Sequence, residues 1–192
     1  MLPTREQAQE LLAAAGRTNP GPWTDHSRLV ARCAQTLAGA CGLDREKAYV
    51  LGLLHDIGRD EGVYDLYHVW RGWSRMNALG YAEAARVCLT HSFQLQDLDS
   101  YMGKRDVTPK QLAQLQAALA AVEYDDYDKL LQLCDTLAGT RYLVLEQRMV
   151  DVALRYGLAP KTLEKWRATL ALKAEFDARC GRNIYELLGV KP

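Results

Sequence analysis

The residues best suited to chemistry in this chain of 192 residues are its histidines and two of its aspartates. The four histidines all lie in the first half of the sequence, at His26, His55, His68 and His91. Asp56 follows His55 directly at the end of the apolar stretch YVLGLL, and Asp135 interrupts the apolar stretch LLQLCDTLA. A carboxylate on so apolar a helix is costly to bury unless a cation or hydrogen-bond donors meet it. These residues are therefore candidates for a cation-binding site.

The doublet His55-Asp56 offers the donor atoms that a first-row metal ion prefers. Imidazole nitrogen and carboxylate oxygen suit iron, manganese, zinc or a similar divalent ion. The doublet is predicted to end a helix that stops at Gly58, where the partial negative charge of unpaired carbonyls favours a cation. The alternative is that His55 is a hydrogen-bonded core histidine and Asp56 an ordinary group at the end of a helix.

Apolar residues recur at three- and four-residue steps almost throughout, and this periodicity predicts an all-α protein. Thr24 or Asp25, Asp44 and Thr108 are the predicted N-caps, with Pro109 at the first helical position after Thr108. The predicted helices cover about residues 4–15, 24–42, 44–58, 67–79, 81–92, 108–122, 124–138, 141–156, 160–180 and 183–188, with a loop at 94–106. No linker between them is long enough to indicate a second domain.

The composition argues against several classes of partner and location. Lys plus Arg equals Asp plus Glu at 24 each, so no overall basic charge would attract nucleic acid, and an anionic substrate must be held locally. The first residues lack the basic-then-apolar order of a signal peptide, and no apolar run approaches the roughly 18 residues of a membrane span. Five cysteines without a C-x-x-C pair are typical of reduced, packed thiols. We therefore expect a soluble cytoplasmic protein.

Three local strings together carry a resemblance to a known family: HSRLVARCAQTLA, LGLLHDIGR and LLQLCDTLA. In this order they resemble the HD-domain superfamily of metal-dependent phosphohydrolases, over roughly Asp25 to Gly139. The resemblance implies an HD-domain helical bundle with extra C-terminal helices. On this interpretation residues 1–192 form a single HD-type domain, with a core at about 22–140 and a helical extension at about 141–192.

The resemblance also implies a set of metal ligands. The first metal would be bound by four side chains, those of His26, His55, Asp56 and Asp135. His68 and His91 stand at positions that resemble the extra histidines of two-metal members, in which the aspartate of the doublet bridges both ions. The expected cofactor is therefore one or two divalent ions, iron, manganese or similar. Alternatively, His68 is a hydrogen-bonding residue at a helix start and His91 closes a helix.

Arginines near the doublet are the candidate phosphate-binding residues. Arg59 lies three residues after Asp56, and a guanidinium can bind two phosphate oxygens at once. Arg71 and Arg75 are further candidates for substrate binding. Each of the three could instead be a solvated charge. The ligand set resembles that of bacterial hydrolases of symmetrical dinucleoside tetraphosphates, but Arg59 stands where some of those proteins have a lysine.

The implied activity is hydrolysis of a phosphomonoester or phosphoanhydride of a small nucleotide-like substrate by a metal-activated water, with Asp56 and Arg59 as the catalytic residues. An HD-type di-iron oxygenase is an alternative, because some proteins that resemble this superfamily use a similar four-histidine, two-aspartate site. A non-catalytic nucleotide-binding module is another. The expected partner is a small phosphorylated molecule, with no nucleic acid or membrane, and a helix such as 141–156 could pair two subunits in a homodimer.

Overall fold

A computed structural model describes residues 1–62 and 64–190 of the chain. Within these ranges the protein is all-α, as predicted, and its only bridge of β type joins Ala138 and Tyr142. The ten α-helices of the described residues are α1 (Arg5–Thr18), α2 (Trp23–Ala40), α3 (Arg45–Leu54), α4 (Leu66–Ala78), α5 (Ala82–Thr90), α6 (Pro109–Ala121), α7 (Asp126–Leu137), α8 (Leu145–Tyr156), α9 (Thr162–Cys180) and α10 (Ile184–Leu187). Two 3-10 helices, Ile57–Glu61 and Leu98–Ser100, follow α3 and α5.

Side-chain caps begin several of these helices where the sequence predicts them. The carboxylate of Asp44 accepts hydrogen bonds from the amides of Glu46 and Lys47, at 2.8 and 3.0 Å, and so satisfies two free donors at the start of α3. Thr108 caps α6 with Pro109 at the first helical position. Both predicted caps are confirmed, and the first of them sets the start of the helix that leads to His55.

Four predicted helix boundaries are wrong. The first helix continues to Thr18 instead of ending at about residue 15. The second helix begins at Trp23 and has no side-chain cap, so neither Thr24 nor Asp25 caps it. The third ends at Leu54 rather than Gly58, because the chain tightens there and continues as a 3-10 helix. The helix expected from residue 141 begins at Leu145, since the preceding residues form a turn in which the amide of Leu143 donates to the carbonyl of Leu137 at 2.9 Å.

The centre of the core is the contact between α2 and α3. A Cβ on Gly52 would lie 2.5 Å from the Cα of Ala31, so only glycine allows this close approach of the two helix backbones. The same core includes Leu37 of α2, Leu137 of α7 and Phe176 of α9, all fully buried. The C-terminal helices therefore pack directly on the helices that carry the candidate ligands.

A second, smaller apolar cluster lies under α4, α5 and α6, with Val69, Leu89, Phe93 and Leu115 among its buried members. It fixes the segments that carry His68 and His91. Among the helices of the described residues, none is both long enough and apolar enough to span a membrane.

Candidate metal centre

The six side chains proposed as metal ligands come from five helices and converge on one place. His26 lies in the first turn of α2 and His68 in the first turn of α4, whereas His55 and His91 directly follow the last residues of α3 and α5. Asp135 lies in the last turn of α7, and Asp56 lies between α3 and the 3-10 helix. Because most of these residues sit at helix ends, their side chains can reach a common point between the helices.

His26, His55 and Asp135 form the first part of the cluster. Oδ1 of Asp135 lies 2.9 Å from Nε2 of His26 and 3.6 Å from Nε2 of His55. The two imidazole rings are 5.3 Å apart between centroids. One atom from each residue lies within 4.8 Å of the others, so the three could hold a metal ion.

Asp56, His68 and His91 form the second part of the cluster. Oδ1 of Asp56 lies 3.2 Å from Nε2 of His68 and 3.6 Å from Nε2 of His91, and the two Nε2 atoms are 3.3 Å apart. His55 adjoins both parts, because its Nε2 lies 3.9 Å from the other carboxylate oxygen of Asp56. A second group that could hold an ion therefore consists of His55, Asp56 and His91.

Backbone carbonyls determine which nitrogen of three histidines faces the cluster. Nδ1 of His55 lies 2.8 Å from the carbonyl oxygen of Gly52, and Nδ1 of His91 lies 3.0 Å from that of Cys88. Nδ1 of His68 pairs in the same way with the carbonyl of Asp65. A carbonyl only accepts, so each Nδ1 must carry the proton, and in the neutral ring Nε2 is left with a free lone pair. Such a tautomer is the one in which Nε2 can bind a metal.

The electrostatics of the cluster favour added positive charge. Burial would raise the pKa of Asp56, but Arg59 and His68 outweigh it and hold that pKa well below its usual range. Burial is likewise outweighed at Asp135, where the neighbouring side chains of His26 and His55 lower the pKa of the carboxyl. Both carboxylates are therefore ionised at neutral pH.

The pKa values of the buried imidazoles are also set by burial and by neighbouring charges. Burial and then the charge of Arg59 lower the pKa of His68 to about 3, and burial and then His55 lower that of His91 to about 4. Burial also opposes protonation of His55, but there Asp56 and Asp135 outweigh it and raise the pKa. Two anionic carboxylates thus lie beside the neutral imidazoles of His68 and His91.

Two unsatisfied atoms provide the test of whether a metal fits. Nε2 of His55 and Oδ1 of Asp56 are buried and have no hydrogen-bond partner among the described residues. Orphaned polar atoms are costly in a protein interior, and these two are electron-pair donors whose residues belong to one cluster. A nitrogen and oxygen donor set of this kind suits a first-row divalent ion, so the residues fit a divalent metal centre.

The cluster opens on a cavity of about 1070 Å³. Its wall includes residues from the α1–α2 connection, the end of α7 and the C-terminal helices α8 and α9. Arg59 lines it, with Nε donating to Oδ2 of Asp56 at 2.7 Å and Nη1 donating to the carbonyl of Tyr64 at 3.0 Å. Five of the six candidate ligands line the same space, which therefore gives a small molecule access to them: His26, Asp56, His68, His91 and Asp135.

The other two candidate phosphate-binding arginines lie elsewhere. Arg75 donates to Asp60 at 2.6 Å, and Arg71 donates to the same carboxylate at 3.2 Å and pairs with Glu61 at 2.7 Å. Neither arginine is among the described residues that line the cavity. Their contact with a substrate stays a prediction. The arrangement does not favour it, because both guanidinium groups already pair with the buried carboxylate of Asp60.

The cavity also contains residues that the sequence did not single out. Lys165 and Trp166 reach it from α9, and Tyr101 reaches it from the segment after α5. No local pattern distinguishes Lys165 from Lys173 on the same helix or from Lys161 just before it. The position of Lys165 becomes apparent only when α9 is packed on the core.

Comparison with known proteins gives one match. The family model described as the HD domain matches residues 23–140, more than half of the chain. No curated protein and no solved structure matches this chain. The matched segment contains all six side chains of the cluster and Arg59, and it ends before α8 and α9 begin.

Proposed function

The chain belongs to the HD-domain family, and on that premise we propose that it is a metal-dependent phosphohydrolase. Its substrate would be a small nucleotide-like molecule with a phosphomonoester or phosphoanhydride bond. The observation that carries the proposal is the pair of orphaned donors, His55 Nε2 and Asp56 Oδ1, inside a cluster of four histidines and two aspartates. The cluster faces a cavity large enough for a nucleotide-sized ligand.

The residues divide naturally into two ligand sets. His26, His55 and Asp135 would hold one ion, and Asp56, His68 and His91 would hold a second beside it. Divalent ions in such a site supply a water of lowered pKa as nucleophile and neutralise charge on phosphoryl oxygens. The carbonyl bonds to Nδ1 of His55, His68 and His91 keep their Nε2 atoms aimed at this place before any ion arrives.

Arg59 would bind the phosphoryl group of the substrate. Its guanidinium is fixed by Asp56 on one side and by the carbonyl of Tyr64 on the other, and it lines the cavity. A guanidinium held next to the cluster can donate to a phosphate oxygen with little further loss of side-chain entropy. Asp56 thus has two roles, as a ligand and as the anchor of the arginine.

The experiment that tests the proposal combines elemental analysis with a phosphatase screen. Purified protein is analysed for bound metal and then assayed against nucleotides, dinucleoside polyphosphates and sugar phosphates for release of inorganic phosphate. Asp56→Asn should lose both bound metal and activity while its helix content stays unchanged. Asp60→Asn is the matched control, because Asp60 is also buried but pairs with Arg71 and Arg75 instead of the cluster. Unchanged metal content in Asp56→Asn would contradict the proposed site.

The two competing functions make different predictions. A di-iron oxygenase uses a similar set of four histidines and two aspartates, but it requires oxygen, so turnover in an anaerobic chamber would exclude it. A non-catalytic nucleotide-binding module would bind a nucleotide without releasing phosphate from any substrate in the screen. The hydrolase alone should release phosphate equally with and without oxygen.

A further inference from the structure

One cation in the cavity differs from the others in its surroundings. Lys165 lies on α9, outside the segment that matches the HD domain, and its side chain lines the cavity that the cluster faces. Its Nζ donates to the carbonyl oxygen of Ser92 at 2.8 Å, and Ser92 directly follows the candidate ligand His91. Both Lys165 and Ser92 line the cavity. The C-terminal extension therefore places a positive charge next to the candidate metal centre.

Most other cations that line the cavity already have carboxylate partners. Arg28 pairs with Asp25 at 2.8 Å, Arg148 pairs with Asp151 at 3.1 Å, and Arg59 pairs with Asp56. Among the described residues, no carboxylate lies within 4.0 Å of the ammonium of Lys165. Arg32 also lines the cavity without such a partner, but it is exposed to solvent. Within residues 1–62 and 64–190, Lys165 is thus the half-buried cation of the cavity that has no carboxylate partner.

The hydrogen bonding of Lys165 is incomplete as well. An ammonium group has three donors, and the carbonyl of Ser92 accepts one of them. Burial lowers the pKa of this lysine to about 8, against the attraction of Asp135, so at pH 7 most of it remains charged. The hydrogen bond to the carbonyl of Ser92 does not by itself require the positive charge of Lys165. An anion in the cavity would supply both the missing counter-ion and acceptors for the remaining donors.

We infer that Lys165 binds a phosphate group of the substrate, so that the C-terminal extension supplies a substrate-binding residue from outside the HD segment. The inference rests on the proposed function, because it takes the ligand of the cavity to be a phosphorylated molecule. Arg59 stands beside Asp56, and Lys165 stands beside Ser92 and is attracted by Asp135. A phosphate bound at the cluster would therefore meet one cation from the HD segment and one from α9.

The test measures binding of inorganic phosphate to metal-loaded protein by isothermal titration calorimetry. Lys165→Met should weaken phosphate binding roughly ten- to a hundredfold, the factor expected for loss of a hydrogen bond to a charged group. Lys165→Arg, which keeps the charge, should recover part of the loss. Arg167→Met is the matched control, since it removes one exposed charge from the same helix and should bind phosphate like the wild type. Metal content should be equal in all four proteins.

The outcomes separate this inference from the proposed function. A phosphate dissociation constant of Lys165→Met within twofold of the wild-type value overturns the inference, even if the wild type hydrolyses phosphate compounds, and so does a wild type that binds no phosphate. Absence of turnover in every substrate screen refutes the hydrolase, whereas phosphate binding that depends on Lys165 would still support this binding site. Should the methionine variant not fold, Lys165→Gln decides by the same measurement.

Discussion

The substitution Gly58→Ala tests whether a close backbone contact positions the second half of the cluster. Gly58 belongs to the 3-10 helix that follows Asp56, and this helix packs against α4. A Cβ at this position would lie 2.0 Å from the carbonyl oxygen of His68 and 2.4 Å from the amide nitrogen of Gly72. Both neighbours are backbone atoms, so no side chain can turn away to make room.

The size of the effect follows from these distances. Real Cβ contacts essentially never fall below 3.0 Å, so the two backbones must separate by the difference between 3.0 and 2.0 Å, which is 1.0 Å. Overpacking of a core typically costs about 1–3 kcal/mol, and a clash between two backbones should lie at the upper end, about 3 kcal/mol. For a chain of this size that corresponds to a fall in Tm of about 6–12 °C.

The same displacement should disturb the metal site. Nε2 of His68 lies 3.2 Å from Oδ1 of Asp56, and a shift of α4 would lengthen that distance. We therefore expect Gly58→Ala to bind less metal than the wild type, as well as to melt earlier. Differential scanning calorimetry and elemental analysis measure the two effects.

Gly39→Ala is the control for the change of residue type itself. A Cβ on Gly39 would meet Cδ of Arg45 at 3.0 Å, and that flexible side chain can move aside. Its stability should therefore change by less than about 1 kcal/mol. If Gly58→Ala melts like Gly39→Ala and keeps its full metal content, the reasoning from the close contact is refuted.

Three further predictions concern the support of the site. Asp44→Ala removes the cap of α3 and should lower stability by about 1 kcal/mol in thermal melts, and an unchanged Tm would contradict that role. Arg75→Met should lower stability by about 1–3 kcal/mol without raising KM, because the guanidinium serves Asp60, and a raised KM at unchanged Tm would make Arg75 a substrate-binding residue instead. His91, with its pKa lowered to about 4, releases its proton on folding, so metal-free protein should lose stability as pH falls from about 6.5 to 4. In urea titrations His91→Gln should remove up to about 1.4 kcal/mol per pH unit of that slope, and identical slopes would count against the buried neutral imidazole.

The sequence predicts the helices well where their ends depend on neighbouring residues. Asp44 and Thr108 cap their helices through amides two or three residues away, so the signal is contained in a short stretch of chain. The start of α8 depends on distant residues instead. The amide of Leu145 donates to the hydroxyl of Tyr185 at 2.9 Å, from 40 residues away, and nothing near Arg141 indicates that contact.

The candidate ligands were predictable for a related reason. Histidine is rare in this chain, and a carboxylate such as Asp135 in an apolar helix stands out from its neighbours. Charges that are common carry no such signal. Asp60 holds Arg71 and Arg75 away from the cavity, although in sequence it resembles an ordinary polar residue after a helix end. Lys165 reaches the cavity, although in sequence it resembles Lys173, the other lysine of α9.

The charges around the cluster explain why such a site needs both a cation and an anion. Asp56 and Asp135 are ionised, and Arg59 and Lys165 bring two positive charges close to them, so these four groups balance one another, and the imidazoles of His68 and His91 add no charge. Each divalent ion bound by the histidines would then add two positive charges that the protein does not offset. In a space of low dielectric, uncompensated charge is expensive, and a phosphate group carries the opposite charge. On the proposed function, the arrangement that would attract a metal to the imidazoles would thus make the metal-loaded cavity a receptor for phosphate.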